Sequence, residues 1–139
     1  MVGGAALGWL ALVLGCGSPS VKIVPVRGKV TFRDGSLIQA DRVLITFAPQ
    51  RGAGSKPLPA AKGTLNVEDG SFSGLTTYER MDGAALGRHR VVIRTFNKGP
   101  GGKDVPVAAV PRRYTRRDTT PLEVVVKGSG ASFALLIDR

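Results

Sequence analysis

Short runs of alternating apolar and polar residues, each closed by Gly, Asp or Pro, constrain the fold of this 139-residue chain most strongly. Alternation at period two places every second side chain on one face of a strand, whereas an amphipathic helix repeats its apolar residues three and four positions apart. The clearest run is 88–96, in which His89, Val91, Ile93 and Thr95 share one face. The same alternation predicts inner faces at Val24, Val26, Val30 and Phe32 and at Val43, Ile45 and Phe47.

Seven runs of this kind predict seven strands. They cover residues 23–32, 42–48, 61–67, a short segment at Phe72, 88–96, 122–127 and 131–137. Asp34-Gly35 and Asp69-Gly70 predict turns, because glycine adopts positive φ without strain. The last two runs flank Gly128-Ser129-Gly130 and predict a hairpin, whereas residues 97–121 predict irregular chain. We therefore expect an all-β chain, a seven-stranded β-sandwich without a helix after residue 15.

An uncharged, almost wholly apolar run from Met1 to Gly15 ends at Cys16, the only cysteine. A single cysteine cannot form an internal disulfide. The run is shorter than the roughly 20 residues of a spanning helix and matches a signal-peptide core, although no basic residue precedes Lys22. Val13-Leu14-Gly15-Cys16 resembles a bacterial lipobox, whose cysteine becomes the lipidated first residue of the mature protein.

These features divide the chain into three predicted parts. Residues 1–15 are a lipoprotein signal peptide, residues 16–22 hold the lipidated Cys16 and a tether, and residues 23–139 form one folded domain. The lipid would anchor the protein to a membrane of the cell envelope, facing the periplasm or the cell exterior. Two alternatives stay open, namely an ordinary cleaved signal and a buried N-terminal strand in which the cysteine occurs by chance.

Several motifs, in this order, resemble a single known pattern. They are Val26-Arg27-Gly28-Lys29-Val30-Thr31 (V-x-G-x-V-T), Asp34-Gly35-Ser36-Leu37 (D-G-x-P-L), Val43 to Pro49 (V-x-F-x-P), Asp69-Gly70-Ser71-Phe72 (D-G-x-F), Gly83-Ala84 with Gly87-Arg88-His89-Arg90-Val91 (G-A and G-x-Y-x-V), Val110-Pro111-Arg112-Arg113-Tyr114 (I-P-x-x-Y) and Thr120-Pro121-Leu122 (T-P-L). Together they resemble the small carboxypeptidase-regulatory-like (transthyretin-like) lipoproteins that are abundant in planctomycete bacteria. The resemblance covers roughly residues 12–137.

The resemblance implies a seven-stranded sandwich of prealbumin type in the cell envelope, in a family whose members mostly lack a defined activity. Ser36 stands where the pattern carries Lys-Pro, and His89 where it carries tyrosine. The related sandwich enzymes that hydrolyse hydroxyisourate use several histidines, an arginine and a C-terminal Tyr-Arg-Gly-Ser tail. This chain has one histidine and ends Leu136-Ile137-Asp138-Arg139, so the resemblance does not extend to that activity.

His89 is the only histidine, and its predicted inward position allows two interpretations. It can serve as a catalytic base or metal ligand, or its ring can fill an aromatic slot near the core, which we favour. Counting alone leaves a Ser–His–Asp set open, since the chain holds Ser71, Ser73, Asp69 and Asp82, but no nucleophile-elbow pattern occurs. Aspartates beside glycine, such as Asp34, favour turns over a calcium site. We therefore predict no catalytic residue, metal or cofactor.

Basic residues concentrate in one segment of a chain whose net charge is +10. Residues 88–117 contain nine basic residues and one acidic residue, Asp104, and so carry +8. The candidate anion-binding residues are Arg88, Arg90, Arg94, Arg112, Arg113, Arg116 and Arg117, of which the first three should share one strand face. The alternative is a solvated basic face that reflects arginine-rich composition. Nucleic acid is not an expected partner, because an envelope location removes it and no reader motif is present.

The sequence therefore predicts a non-enzymatic structural or interaction module of the cell envelope, held at the membrane through Cys16. Its expected partners are the membrane itself and an envelope protein. The alternative function is binding of an anionic glycan or an anionic membrane surface through the basic segment 88–117.

Overall fold

The computed structural model describes residues 21–50, 56–128 and 130–139, and the regular structure of these residues is almost entirely strand. Ten strands occur there: β1 (Ile23–Val24), β2 (Val26–Phe32), β3 (Arg42–Pro49), β4 (Ala61–Thr64), β5 (Ser71–Phe72), β6 (Ala84–Ala85), β7 (Gly87–Lys98), β8 (Asp104–Pro106), β9 (Glu123–Val126) and β10 (Ala131–Ile137). Two short 3₁₀ helices, Pro100–Gly102 and Arg112–Thr115, are the helical elements of the described residues. The predicted all-β class is confirmed.

Two main sheets and one small one contain these strands. The first sheet has the order β10-β2-β5, and the second has the order β4-β3-β7-β8, with β9 also paired to β7. The strands β1 and β6 form a two-stranded ribbon. Every pairing is antiparallel except that of β10 with β2, which is parallel from Ala131↔Val26 to Ile137↔Phe32.

The inner faces of the two main sheets share one buried cluster, so the arrangement is sandwich-like. The predicted inward positions on β2, β3 and β7 are all buried: Val26, Val30, Phe32, Val43, Ile45, Phe47, Val91 and Ile93. Phe47 lies at the centre, where its ring contacts Phe72 and Phe133 of the other sheet in edge-on geometry at centroid distances of 5.8 and 5.9 Å. Aromatic pairs of this kind stabilise a core beyond their buried area.

Each of the seven predicted runs contains a strand, and the total of ten has identifiable causes. Pro25 divides the first run into β1 and β2, because proline lacks the N–H that a continuous ladder needs. The two-residue β6 and the three-residue β8 were not predicted, since segments so short carry no periodicity.

The predicted hairpin between the last two runs was wrong. β9 pairs with β7 in one main sheet, whereas β10 pairs with β2 in the other, so the connection around Gly128 and Gly130 crosses between layers. Alternation determines which face of a strand is buried, but it does not determine which neighbour the strand takes.

The segment 107–121 leaves one edge of β7 and returns to it. At one end, Val107 N donates to the Thr95 carbonyl at 3.0 Å, and Thr95 Oγ1 donates to the Val107 carbonyl at 2.6 Å. At the other end, Val91 N donates to the Leu122 carbonyl at 2.9 Å, and Thr120 Oγ1 donates to the Val91 carbonyl at 2.7 Å. The predicted irregular chain is therefore fixed to the sheet at both ends, and it carries four arginines.

Candidate anion-binding groove

Three of the candidate arginines share the outer face of β7, as the sequence predicted. Arg88, Arg90 and Arg94 alternate with His89, Val91, Ile93 and Thr95, all of which are buried. Arg88 and Arg94 are exposed, and Arg90 is half-buried. The strand therefore presents its cations to solvent from a rigid, central position in the sheet.

The structure brings Arg94 together with two arginines of the segment 107–121. Arg94, Arg112 and Arg116 line one open groove of about 440 Å³. The remaining lining residues are Thr95, Phe96, Pro106, Val107 and Thr115. Three exposed arginine side chains thus surround a surface that also includes the aromatic ring of Phe96. We call this surface the arginine groove.

None of the three arginines of the groove has a carboxylate partner among the described residues, whereas Arg88, one of the other candidates, pairs with Glu123. The four ion pairs of residues 21–50, 56–128 and 130–139 involve neither Arg94 nor Arg112 nor Arg116. A cation without a fixed counter-charge keeps its full electrostatic attraction for an incoming anion. Guanidinium groups also bind carboxylate, sulfate and phosphate oxygens through paired N–H donors.

The four other candidates are engaged within the fold. Arg88 Nε lies 3.1 Å from Glu123 Oε1, and Arg90 Nη1 donates to the Arg117 and Asp118 carbonyls at 3.2 and 3.4 Å. Arg117 Nη2 donates to the Pro49 carbonyl at 2.8 Å. The guanidinium of Arg113 lies 4.8 Å from the centre of the Tyr114 ring. The contacts of Arg90 and Arg117 attach the segment 107–121 to the sheet, whereas Arg88 pairs β7 with β9 and Arg113 contacts a ring of its own segment. Sequence alone gave no signal for these contacts.

The buried Tyr114 holds in place the short helix that carries Arg112 of the groove. It belongs to the 3₁₀ helix Arg112–Thr115, its side chain is part of the core, and its hydroxyl accepts from Asp138 N at 2.8 Å. Thr115 Oγ1 donates to the Arg112 carbonyl at 2.7 Å, which closes the helical turn. The backbone of Arg112 therefore belongs to a helical turn that is anchored in the core through Tyr114.

His89 fills an aromatic slot in the core, as favoured from the sequence. It is 1 % exposed, and its ring centroid lies 5.8 Å from that of Phe47. Its Nε2 lies 2.7 Å from the Ala85 carbonyl, while Nδ1 has no hydrogen-bond partner among the described residues. Burial lowers the pKa of His89, and the backbone polar groups of Ala85 and Phe47 offset this only in part.

The aspartates beside glycine form turns. In both Asp34-Gly35 and Asp69-Gly70, the aspartate Oδ1 accepts from the backbone N and the Oγ of the serine two residues on, at 2.6 to 2.9 Å. Both glycines have positive φ, 86° and 78°. Within the described ranges, no group of three or more His, Cys, Asp or Glu residues could hold a metal ion.

The predicted leader, the lipobox and Cys16 lie outside the described residues. Of the residues that are described, no helix combines the length and apolar character needed to cross a bilayer.

Comparisons with known proteins add little to this geometry. No family model matches the chain. Among solved structures, the chain is similar to a 9R-lipoxygenase from Cyanothece PCC8801, with a TM-score of 0.41 and 13 % sequence identity. The match covers 83 % of this chain and 17 % of the lipoxygenase chain, so this protein spans about a sixth of that structure's length.

Proposed function

We propose that this protein is a non-enzymatic interaction module of the cell envelope, lipid-anchored through Cys16, with a transthyretin-like sandwich as its folded part. The strand content is compatible with a seven-stranded plan. The strands β1, β6 and β8 were not predicted as separate elements, and the seven others, including the two-residue β5, correspond one to one with the predicted runs.

The arginine groove is the observation that carries the interaction role. Arg94 comes from a sheet strand, whereas Arg112 and Arg116 come from the segment 107–121, and the fold converges them on one open surface. A partner with regularly spaced carboxylate or sulfate groups suits such a surface, because it can pair with several guanidinium groups at once. The groove therefore favours the alternative function named from the sequence, binding of an anionic glycan.

The position of the groove favours a glycan over lipid head groups. β7 starts next to β6, which pairs with β1, where the chain arrives from the proposed tether. Arg94 lies seven residues beyond Gly87, roughly 23 Å along the strand. A ligand that extends away from the membrane reaches this site more readily than a head group in the bilayer plane.

Retention on a sulfated polysaccharide resin tests the proposal. The mature protein in neutral detergent should bind at low ionic strength and elute with salt, because exposed charges are screened. The combined variant Arg94→Glu, Arg112→Glu and Arg116→Glu should lose retention. The control is Lys29→Glu, Lys62→Glu and Lys127→Glu, which changes the net charge equally at exposed positions outside the groove. If both variants lost retention equally, the protein would bind through its basic surface in general, and the arginine groove would not be a specific site. The mass of Cys16 in the same preparation tests the anchor.

A further inference from the structure

The two most exposed large hydrophobic side chains of the described residues lie in one loop. Tyr78 is 59 % exposed and Met81 is 60 % exposed, and both belong to the connection between β5 and β6. Exposing apolar surface to water is unfavourable, and adjacent exposed apolar groups often mark an interaction site.

This loop is held in a fixed shape. The Asp82 carboxylate accepts from the backbone N of Thr77, Tyr78 and Glu79 at 2.7 to 3.0 Å. Met81 N donates to Thr76 Oγ1 at 2.9 Å, and Met81 adopts a φ of 60°, the left-handed region that non-glycine residues seldom occupy. The loop therefore displays Tyr78 and Met81 in a defined conformation.

The loop is also fastened to the point where the chain arrives from Cys16. β6 follows it directly and pairs with β1, and Leu86 N donates to the Lys22 carbonyl at 3.1 Å. Met81 itself lines a cavity of about 480 Å³ together with Pro25 and Arg27. Five residue steps separate Cys16 from Val21, a reach of at most about 18 Å. Any lipid on Cys16 therefore keeps this end of the domain close to the bilayer.

The charges around the loop suit an anionic surface. Lys22, Arg27 and Arg80 are exposed at this end, and Glu79 is the exposed acidic residue among them. Amphipathic aromatic residues favour the boundary between head groups and acyl chains, and basic residues are attracted to anionic head groups.

From these contacts we propose that the loop containing Tyr78 and Met81 is the membrane-facing end of the domain and inserts both side chains into the interface of an anionic bilayer. Lys22, Arg27 and Arg80 contact the head groups. The inference rests on the proposed anchoring through Cys16, and it assigns an orientation that anchoring alone leaves open.

Fluorescence quenching tests this orientation. The protein is expressed from the full-length sequence, purified in the form its host's membranes hold, and reconstituted into phosphatidylcholine–phosphatidylglycerol vesicles, with and without bromine on the acyl chains. Trp9, the only tryptophan, is changed to Phe in every sample, and one tryptophan is introduced by Tyr78→Trp. The matched control is Leu136→Trp. Leu136 is an exposed apolar residue near the end of β10 that lies furthest from β1 and the loop. Brominated lipid should reduce emission from Tyr78→Trp by about half or more and leave the control nearly unchanged, since insertion reaches the acyl boundary.

Every result decides between the hypotheses. Quenching at Tyr78→Trp alone supports the orientation, whereas equal quenching at both positions, or none at either, overturns it. The mass of Cys16 in the same sample separates the two claims. An acylated Cys16 with an unquenched Tyr78→Trp overturns the orientation and leaves the anchor standing. An unmodified Cys16 overturns the anchor, and in that sample quenching at Tyr78→Trp alone still supports the orientation, whereas an unquenched Tyr78→Trp overturns both.

Discussion

His89 shows how one buried side chain makes stability depend on pH. Its burial lowers its pKa, so the folded protein resists a proton that the unfolded chain accepts. Stability attributable to this group is therefore complete above the unfolded pKa of about 6.5 and is lost as pH falls below it. The contact with Phe47 and the core position of the ring place this loss in the cooperative unit of the whole domain.

We predict that the urea midpoint of unfolding falls between pH 8 and pH 5, and that His89→Phe removes most of this dependence. Phenylalanine retains the ring packed against Phe47 and cannot take up a proton. Carboxylates affect the comparison little. Hydrogen bonds lower the folded pKa of Asp34, Asp69 and Asp138, so their stabilising contribution is present above the unfolded pKa of about 3.9 and is lost as pH falls below it, outside the tested range. A wild-type midpoint that stays constant from pH 8 to pH 5 would contradict the prediction.

At the level of single residues, the sequence predicted conformation better than contacts. Asp34-Gly35 and Asp69-Gly70 formed the expected turns because aspartate and glycine act there on their own backbone. The roles of Arg90 and Arg117 were not predictable, because their acceptors are carbonyls 27 and 68 residues away. The sequence singled out seven arginines, and only the structure showed that three of them, Arg94, Arg112 and Arg116, line one groove.

Among the elements, the segment 107–121 combines an irregular backbone with a fixed position. Its ends are bonded to Thr95 and Val91 of β7, and its middle is held by the buried Tyr114. The Tyr114 hydroxyl accepts from Asp138 N just after β10, so this element links the two main sheets. The Gly- and Pro-rich composition of residues 97–121 correctly indicated that no long strand occurs here. It did not predict that the segment is held in a fixed position, because that depends on contacts with β7 and with the residue after β10.

We predict that Tyr114→Phe lowers the free energy of unfolding by about 1 kcal/mol, the typical worth of one intramolecular hydrogen bond. The ring still fills its place in the core, but Asp138 N loses its acceptor. Urea denaturation measures the change. Tyr78→Phe is the matched control, because Tyr78 is exposed and its hydroxyl makes no hydrogen bond within the described residues, so its stability should not change. Equal effects of the two variants would remove the linking role of Tyr114.

For the whole molecule, the two proposals place two surfaces at different positions along β7. The loop with Tyr78 and Met81 lies near its start through the β1–β6 ribbon, and the arginine groove lies further along at Arg94. A folded sheet is rigid over the length of β7 from Gly87 to Arg94. A domain that contacts the membrane through the loop with Tyr78 and Met81 would therefore keep the arginine groove away from the membrane surface. Under the two proposals, Arg94, Arg112 and Arg116 face the glycan, and Lys22, Arg27 and Arg80 face the membrane.

This separation predicts that membrane anchoring and glycan binding do not compete. Protein reconstituted into neutral phosphatidylcholine vesicles should bind a soluble sulfated polysaccharide with the same affinity, within about a factor of three, as in detergent micelles, since a difference that small is under 1 kcal/mol. Co-sedimentation of labelled polysaccharide with the vesicles measures it. The variant Arg94→Glu, Arg112→Glu and Arg116→Glu should bind in neither setting, which identifies the groove as the site in both. Binding in micelles that vanishes on vesicles would mean that the membrane covers the groove, and the proposed arrangement of the domain would have to be reversed.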